Sequence, residues 1–290
     1  MVHWEEKLRA TLHRLLLENP ATNLSEAITY SILSGGKRFR PRLMEASATL
    51  LNVPAAAFVP FAVALEMIHT FTLIHDDLPC MDNDQMRRGQ PTNHIVFGEA
   101  LAMLAGDSLI FLAFEACLQA RPHCPAEAWA RSLSRLIELG GPRGVIGGQA
   151  LEMLFTNDTH LETLRTMHSL KTGALFDAAI LIPAELAQLS SSPERMSSIQ
   201  AFSHAFGLAF QTADDLEDAE KERNPDTGKF PATSILHYLT PDEALDTAQS
   251  VLNAATEGIQ KNWPGTHNSL SAMASQLQTK LRASFLGVPN

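Results

Sequence analysis

The stretch that decides the fold is residues 61–82, FAVALEMIHTFTLIHDDLPCMD. Apolar residues recur through its first part with helical spacing, and Pro79 predicts the end of that helix. The same periodicity dominates the chain, in segments such as LRATLHRLLLEN, AWARSLSRLIEL and DEALDTAQSVLNAATEGI, whereas alternating β-branched runs are scarce. We therefore predict an all-α fold, with residues 1–290 forming one domain that has no linker and no fixed-period repeat.

The composition limits the classes of function. The 290 residues are 45% hydrophobic and carry a formal net charge of -10, which disfavours a general affinity for nucleic acid or an anionic membrane. The N-terminal segment lacks the pattern of a secretory signal, and no run of 18 apolar residues predicts a membrane span. Three cysteines without a CxxC pair are typical of a reduced cytosol. We expect a cytoplasmic protein with no nucleic-acid partner.

A dense group of carboxylates follows the predicted helix. Four aspartates lie within nine positions: Asp76, Asp77, Asp82 and Asp84. A helix over residues 61–76 places His69, Thr72 and Asp76 on one face. Asp82 is placed by the loop, and a loop that folds back would let Asp76 and Asp82 bind one ion. We interpret Asp84 as a solvated loop charge.

A second acidic cluster, FQTADDLED, begins at Phe210. Its polar members are separated by steps of three and four and share one helical face: Gln211, Asp214, Asp215 and Asp218. One such run alone is often a solvated helix end, but both clusters adjoin apolar helix, where unpaired like charges are costly. Carboxylates without thiolate support suit Mg²⁺, which favours one or two carboxylates plus water and a substrate phosphate. The clusters predict a phosphorylated substrate.

Basic residues stand out in this acidic chain. The segment SGGKRFRPR follows Gly35 and Gly36 with four cations: Lys37, Arg38, Arg40 and Arg42. A glycine turn that leads into a helix, with Pro41 as its first residue, is typical of a phosphate site, although the segment is not a P-loop. Further candidates for binding anions are Arg87, Arg88, Lys171, Thr172 and Lys229.

The chain thus offers two kinds of anion site. In one, carboxylates hold phosphate through a metal, and in the other, Lys and Arg hold it directly. This asymmetry suits two diphosphate substrates with different fates. The diphosphate bound to metal is activated to leave, and the other is only positioned.

These motifs resemble those of the trans-isoprenyl diphosphate synthases, most closely the bacterial farnesyl diphosphate synthases. The resemblance covers about residues 25–235 and includes, in the family's order, GGKRFRP, HTFTLIHDDLPCMDNDQMRRGQPTNH, LAGDSLIFLAFEA, GGQALEM, KTGALF and FQTADDLED. It implies a single polyprenyl synthase domain, folded as a large helical bundle around a central cavity and usually homodimeric. It also implies loss of an allylic diphosphate, attack by the isopentenyl double bond and loss of a proton.

The resemblance also implies roles for individual residues. The isopentenyl diphosphate would be bound by Gly36, Lys37, Arg40, His69 and Arg88. About three Mg²⁺ ions around the allylic diphosphate would be bound by Asp76, Asp77, Asp82, Asp214, Asp215 and Asp218. Further contacts to the allylic diphosphate would come from Arg87, Lys171, Thr172, Gln211 and Lys229.

The resemblance places the floor of the product pocket at Phe71, the fifth residue before Asp76, with Thr72 beside it. Five helical residues rise about 7.5 Å, enough for one or two isoprene units. We therefore expect dimethylallyl and geranyl diphosphate as starters and a C15 product, farnesyl diphosphate. Helical geometry alone selects Thr72, and Phe71 has the alternative of an ordinary core aromatic. Synthesis of geranyl or geranylgeranyl diphosphate is the alternative function.

The chain departs from the family pattern in several places. One Gly-Lys pair and a shortened loop follow the second cluster, Glu152 replaces the usual Asp, and RASFLGVPN predicts no phosphate contact from the C-terminus. A terpene cyclase is disfavoured because DDLED is not the second motif it needs, and a phosphohydrolase because no further His ligands accompany His75 and Asp76. A non-catalytic regulatory subunit would lose aspartates that this chain keeps.

Overall fold

The computed structural model describes residues 2–264 and 268–286, which are mainly helical. The α-helices are α1 (Trp4–Leu16), α2 (Thr22–Ile32), α3 (Phe39–Leu50), α4 (Ala55–Asp76), α5 (Asn93–Phe97), α6 (Glu99–Leu118), α7 (Ala126–Gly140), α8 (Val145–Glu152), α9 (Leu161–His168), α10 (Ala174–Leu186), α11 (Pro193–Glu222), α12 (Pro241–Asn262) and α13 (Ser269–Phe285). A π-helix, Ser169–Gly173, joins α9 to α10. The sheet within the described ranges is one antiparallel pair, Met86–Arg87 with Gln90–Pro91. The all-α prediction is confirmed.

The helix that ends in the first aspartate cluster is α4. It begins at Ala55 and continues through Pro60, so it is longer than the stretch predicted from periodicity. A proline removes one backbone hydrogen bond, and burial of the residues around it outweighs that loss. Helix α4 ends at Asp76, three residues before Pro79. Because it is apolar nearly all round, α4 lies in the core.

The core runs through the whole bundle. Helix α4 lies along α6 and α3, α10 packs against α3, α7 and α11, and α12 and α13 cover α11. The largest fully buried side chains come from α4, α10 and α11: Phe61, Phe176, Phe202 and Phe206. Each aromatic side chain buried in this way contributes about 1.5–3 kcal/mol to stability. The core therefore fixes α4 and α11, the two helices that carry the aspartate clusters.

Two helical segments of the described residues are long and apolar enough to cross a membrane, judged by length and composition alone. The first, Ala55–Asp76, is a core helix with 72% of its apolar window buried. The second, Glu99–His123, has 39% of its window buried. Its exposed side carries Leu104, Phe111 and Leu118, which lie seven residues apart and so form one stripe along α6.

Candidate active site

The first aspartate loop folds back on the end of α4, as predicted. The Asp82 N–H donates to the carbonyl oxygen of Asp76 at 2.8 Å, and the Asn83 N–H donates to that of Leu78 at 3.1 Å. Asn83 has φ 56, a left-handed conformation that asparagine tolerates and that lets the chain reverse. The loop thereby brings Asp82 close to Asp76.

Burial dominates the electrostatics of this loop. It raises the pKa of Asp76 to about 6; the charge of Lys171 opposes the rise, and the carboxylate of Asp82 adds to it. The pKa of Asp82 is raised by burial as well, with Lys171 opposing and Glu152 adding. Carboxylates that raise one another's pKa share a region that a cation would stabilise.

Asp77 points to a different partner. It follows the last residue of α4, is only 3% exposed, and accepts a hydrogen bond of 2.6 Å from Nε of Arg87. Nη2 of Arg87 donates to Asp84 at 3.1 Å. Asp84, which the sequence left as a solvated charge, therefore helps to hold Arg87 in the short hairpin. Arg87 was predicted to contact substrate phosphate; the structure shows it in ion pairs with these two carboxylates, because Asp77 is buried and needs a cation.

The π-helix supplies the cation that faces the first loop. Nζ of Lys171 donates to the carboxylate of Glu152 on α8. This close approach depends on Gly148, where a Cβ would lie 2.2 Å from the backbone nitrogen of Lys171. π-helical turns are frequent at functional sites. From the sequence, Glu152 was identified only as a substitution in the family pattern, and its position in the motif GGQALEM was the signal that it belongs to the site.

A chain of hydrogen bonds joins the π-helix to the second cluster. Oγ1 of Thr172 donates to Oε1 of Gln211 at 2.6 Å, and Nε2 of Gln211 donates to Oδ1 of Asp215 at 2.7 Å. Oδ2 of Asp215 accepts from the N–H of Ile235 at 2.8 Å. Burial raises the pKa of Asp215 to about 6 despite these donors, and Asp214 adds to the rise. The predicted shared face of α11 is therefore present.

The other two aspartates of α11 contact lysines. Nζ of Lys280, on α13, contacts Oδ1 of Asp214, and Nζ of Lys221 contacts Oδ1 of Asp218 at 2.7 Å. Burial raises the pKa of Asp214, and Lys280 opposes that rise. Lys280 was not among the predicted site residues, because the prediction for the C-terminus concerned only RASFLGVPN, of which residues 287–290 lie outside the described residues.

A cavity of about 460 Å³ lies beside Asp214 and is rich in cations. Its polar lining includes Lys37, Arg40, Arg42, His69, Arg88 and Lys280. Nη1 of Arg40 lies 3.2 Å from Nε2 of His69. Burial and the neighbouring Arg40 lower the pKa of His69 well below its usual value, and burial lowers the pKa of Arg40 to about 10. His69 is therefore neutral and accepts a hydrogen bond from Arg40.

The glycine turn shapes one wall of this basic cavity. Nη1 of Arg88 donates to the carbonyl oxygen of Gly35 at 2.6 Å. Gly36 has φ 121, and a Cβ there would lie 2.9 Å from Cζ of Arg88. Only glycine fits both the backbone conformation and the guanidinium at this position. The turn thereby presents Lys37 and Arg88 to the same cavity.

Arg38, which was not among the residues predicted to bind substrate, lies at the wall of the basic cavity but is paired there with Glu66. It is 7% exposed and points into the core, where Nη1 donates to Glu66 at 2.8 Å and Nη2 to the carbonyl oxygen of Ile32 at 2.7 Å. Helix α3 begins at Phe39, two residues before Pro41. Periodicity cannot distinguish an inward arginine from its outward neighbours, because the left-handed conformation of Arg38 (φ 46) sets its direction.

A second cavity, of about 550 Å³, lies between α4, α6, α8 and the π-helix. Asp76, Lys171 and Thr172 line it, and so do apolar side chains: Phe71, Leu73, Met81, Ile110, Val145, Ile146, Met153 and Leu175. Thr72 lines it too, next to Phe71. Arg40 and His69 line both this cavity and the basic one, so the two cavities meet at these side chains.

Lys229 lies apart from both cavities. It is exposed on the loop after α11, and its carbonyl oxygen accepts from the N–H of Asn224 at 2.9 Å. The structure does not bring it to the aspartates, because this bond closes the shortened loop locally. A role for Lys229 in binding diphosphate stays a prediction.

The donor chemistry of the carboxylates fits Mg²⁺ bound together with a diphosphate. Across residues 2–264 and 268–286, no three His, Cys, Asp or Glu side chains converge closely enough to hold an ion alone. Mg²⁺ does not require such a cage, because it keeps several waters and uses one or two carboxylates plus phosphate oxygens. The buried acids Asp76 and Asp215, both with pKa values near 6, are suitable ligands for that arrangement.

Comparisons with known proteins agree with this geometry. The sequence model described as polyprenyl synthetase matches residues 21–234. The chain is 38% identical to the geranylgeranyl diphosphate synthase of Cyanophora paradoxa, over 88% of this chain and 87% of that protein. It is 42% identical to the farnesyl diphosphate synthase of Geobacillus stearothermophilus, over 70% of this chain and 68% of that protein. A solved geranyltransferase from Legionella pneumophila superposes with a TM-score of 0.86 at 31% identity, over 97% of this chain and 96% of that one.

The helical bundle, the paired cavities and these similarities define the class of the protein as an all-α prenyltransferase. More particularly, the chain belongs to the polyprenyl synthetase family, whose model covers well over half of it. The resemblance drawn from the motifs is confirmed.

Proposed function

We propose that this protein condenses isopentenyl diphosphate with dimethylallyl and then geranyl diphosphate, in a Mg²⁺-dependent reaction that ends at farnesyl diphosphate. The observation that carries the proposal is the pair of cavities that meet at Arg40 and His69. One combines carboxylates with an apolar lining, and the other is basic. This pair suits two diphosphate substrates, one that loses its diphosphate and one that keeps it.

The carboxylate-lined cavity is the proposed allylic site. Bound Mg²⁺ would stabilise the charge that develops on the departing diphosphate. Of its proposed ligands, Asp76 lines the cavity, and the others are Asp77, Asp82, Asp214, Asp215 and Asp218. Lys171 also lines this cavity and would donate a hydrogen bond to an oxygen of the departing diphosphate. Thr172 and Gln211 orient one another through their hydrogen bond. The apolar lining excludes water, which would otherwise quench the allylic cation.

The basic cavity is the proposed isopentenyl site. Lys37, Arg40 and Arg88 hold the diphosphate that stays, and neutral His69 keeps Arg40 in place by accepting its hydrogen bond. In each cycle the allylic C–O bond breaks, and the isopentenyl double bond forms a C–C bond with the cation. A proton then leaves the isopentenyl unit for the released diphosphate. No side-chain nucleophile takes part.

The position of Phe71 supports a C15 product. Its ring is 4% exposed and lines the carboxylate-lined cavity five residues before Asp76, where a growing chain would meet it. A second candidate function is synthesis of geranylgeranyl diphosphate, which the similarity to the synthase of Cyanophora paradoxa favours. A regulatory subunit is a weaker candidate, since both aspartate clusters are intact.

We also propose that the chain forms one polyprenyl synthase domain and acts as a cytoplasmic homodimer. The apolar stripe of α6 supports the dimer: Leu104, Phe111 and Leu118 are 52%, 73% and 55% exposed. Apolar patches of this kind mark interaction surfaces, and a second copy would cover them. Sedimentation equilibrium of the purified protein and of Phe111→Glu tests this, because the variant should shift towards the monomer.

Product analysis tests the function. Purified protein is incubated with Mg²⁺, isopentenyl diphosphate and either dimethylallyl or geranyl diphosphate, and the products are identified by mass spectrometry. We expect farnesyl diphosphate and inorganic diphosphate from both starters. Geranylgeranyl diphosphate as the main product would establish the second candidate, a cyclic hydrocarbon would indicate a cyclase, and inorganic phosphate alone a hydrolase. Absence of any product would favour a regulatory subunit.

A further inference from the structure

Lys280 lines the basic cavity and also contacts the second aspartate cluster. Its Nζ contacts Oδ1 of Asp214, lies 3.4 Å from Oε2 of Glu217 and sits 4.6 Å from the centre of the Phe210 ring. Its side chain is 24% exposed, and it lines the basic cavity together with Lys37 and other cations. The lysine thus comes from α13 and reaches a proposed metal ligand on α11.

Two cations cannot share the same oxygen of Asp214 without strong repulsion. A Mg²⁺ ion bound at Oδ1 would displace the ammonium group of Lys280 from that atom. The lysine side chain has four rotatable carbons, so the displaced ammonium group can turn without a movement of α13. Lys280 already lines the basic cavity, so the displaced ammonium group can reach it. An anionic substrate bound in that cavity would attract the ammonium group.

We propose that Lys280 couples the two substrate sites: it competes with Mg²⁺ for Asp214, and once displaced it binds the diphosphate of isopentenyl diphosphate. The proposal rests on the proposed function, because it requires the two diphosphate sites. Lys280 joins Lys37, Arg40 and Arg88 in holding the isopentenyl diphosphate only after the allylic substrate has bound with its metal. Lys280 is therefore a substrate-binding residue that also weakens the binding of Mg²⁺ at Asp214.

The proposal predicts opposite effects on the two binding steps. Replacing Lys280 by Met keeps an apolar side chain beside Phe210 but removes the charge that lies over its ring. Binding of the allylic substrate with Mg²⁺ should then become tighter, because Asp214 has lost its competitor. Binding of isopentenyl diphosphate should become weaker, because one cation is missing from its cavity. A residue that only stabilised the fold would weaken both steps or neither.

The chain offers a matched control in Lys221. It contacts Asp218 on the same face of α11, at 2.7 Å, but its side chain is 78% exposed and does not line the basic cavity. Lys221→Met therefore removes the same kind of ion pair from a proposed metal ligand. It should leave the binding of isopentenyl diphosphate unchanged.

The experiment is a two-step calorimetric titration of the full-length protein. The first titrant is dimethylallyl S-thiolodiphosphate with Mg²⁺, an allylic analogue whose C–S bond resists ionisation, and the second is isopentenyl diphosphate added to the saturated complex. For Lys280→Met we expect the first dissociation constant to fall roughly three- to fivefold, the scale of one partly exposed ion pair. The second should rise roughly tenfold or more, the scale of a lost charge-assisted hydrogen bond. Lys280→Arg should restore the second step.

Each other outcome counts against the coupling. If both constants rise, Lys280 does not compete with Mg²⁺ for Asp214, and if only the first changes, Lys280 does not bind the second substrate. If Lys221→Met weakens the second step equally, the effect is one of general charge. If Lys280→Met fails to fold, judged by its thermal transition, the same titrations with Lys280→Gln decide. A wild-type protein that binds neither titrant and makes no product would instead refute the proposed function.

Discussion

The two cavities meet at Arg40 and His69, but one is lined by Asp76 and apolar side chains, and the other is rich in cations. Burial raises to about 6 the pKa of Asp76, which lines the first cavity, and that of Asp215 in the second aspartate cluster, so each acid resists ionisation unless a cation is near. In the basic cavity, burial lowers the pKa of Arg40 to about 10, so an anion would stabilise its charged form. Each cavity concentrates charge that a ligand of opposite sign would neutralise. The contrast explains how one bundle can treat two similar diphosphates differently.

The largest effect is expected from removing a ligand of the carboxylate cavity. Asp76→Ala should lower kcat by about a thousandfold, because charge on the departing diphosphate loses its stabilisation. Steady-state kinetics with geranyl and isopentenyl diphosphate measure this loss. Asp84→Asn is the matched control, since Asp84 contacts Arg87 outside the cavity, and its kcat should stay close to that of the wild type. Equal losses in both variants would contradict the assignment.

A smaller effect of a different kind is expected in the basic cavity. Lys37→Ala should raise the KM for isopentenyl diphosphate roughly ten- to thirtyfold with little change in kcat, because Lys37 only positions the substrate that keeps its diphosphate. The KM for geranyl diphosphate serves as the internal control and should not move. A loss confined to kcat would show that the two cavities have been assigned the wrong way round.

At the far end of the carboxylate cavity, a change in product is expected with little change in rate. Phe71→Ala removes an aromatic ring from the cavity lining, so chains longer than C15 should accumulate. Mass spectrometry of the dephosphorylated products measures their distribution. Phe61→Leu, a substitution in the core away from the cavity, controls for general loosening. An unchanged C15 product from Phe71→Ala would show that Phe71 is not the floor.

The smallest expected effect is a dependence on pH. The pKa values of Asp76 and Asp215 are about 6 in the folded protein and about 4 in an unfolded chain. Between these values the folded state binds more protons, so the free energy of unfolding falls as the pH rises from about 4 to about 6. Mg²⁺ with inorganic diphosphate requires the ionised acids and should raise the Tm more at about pH 7.5 than at about pH 5.5. An equal rise at both pH values would contradict this.

Local features of the site could be predicted from the sequence because they follow from spacing. The end of α4 and the shared face of Gln211 and Asp215 depend on residues three to six positions apart, which helical geometry relates directly. The all-α fold follows from the same periodicity. The backbone bond between Asp76 and Asp82 was foreseen as a loop that folds back, although its geometry needed the structure.

Contacts between distant segments could not be predicted in this way. Lys280 and Asp214 are 66 residues apart, and only the packing of α13 on α11 brings them together. Arg38 lies among cations that face the basic cavity, but its backbone turns it to buried Glu66. The contact of Lys171 with Glu152 could not be predicted for the same reason, because packing of the π-helix against α8 creates it. Sequence patterns identify the charged groups, and tertiary packing decides which of them pair.

The central claim is that one cavity binds a diphosphate through Mg²⁺ and the other binds it directly. The most direct test is the affinity of wild-type protein for dimethylallyl S-thiolodiphosphate and for isopentenyl diphosphate, each measured by calorimetry with Mg²⁺ and with excess EDTA. We expect EDTA to weaken the binding of the allylic analogue by about a hundredfold or more, since carboxylates hold its diphosphate only through Mg²⁺. The affinity for isopentenyl diphosphate should change by less than about threefold. Equal sensitivity of the two ligands to EDTA would contradict the account.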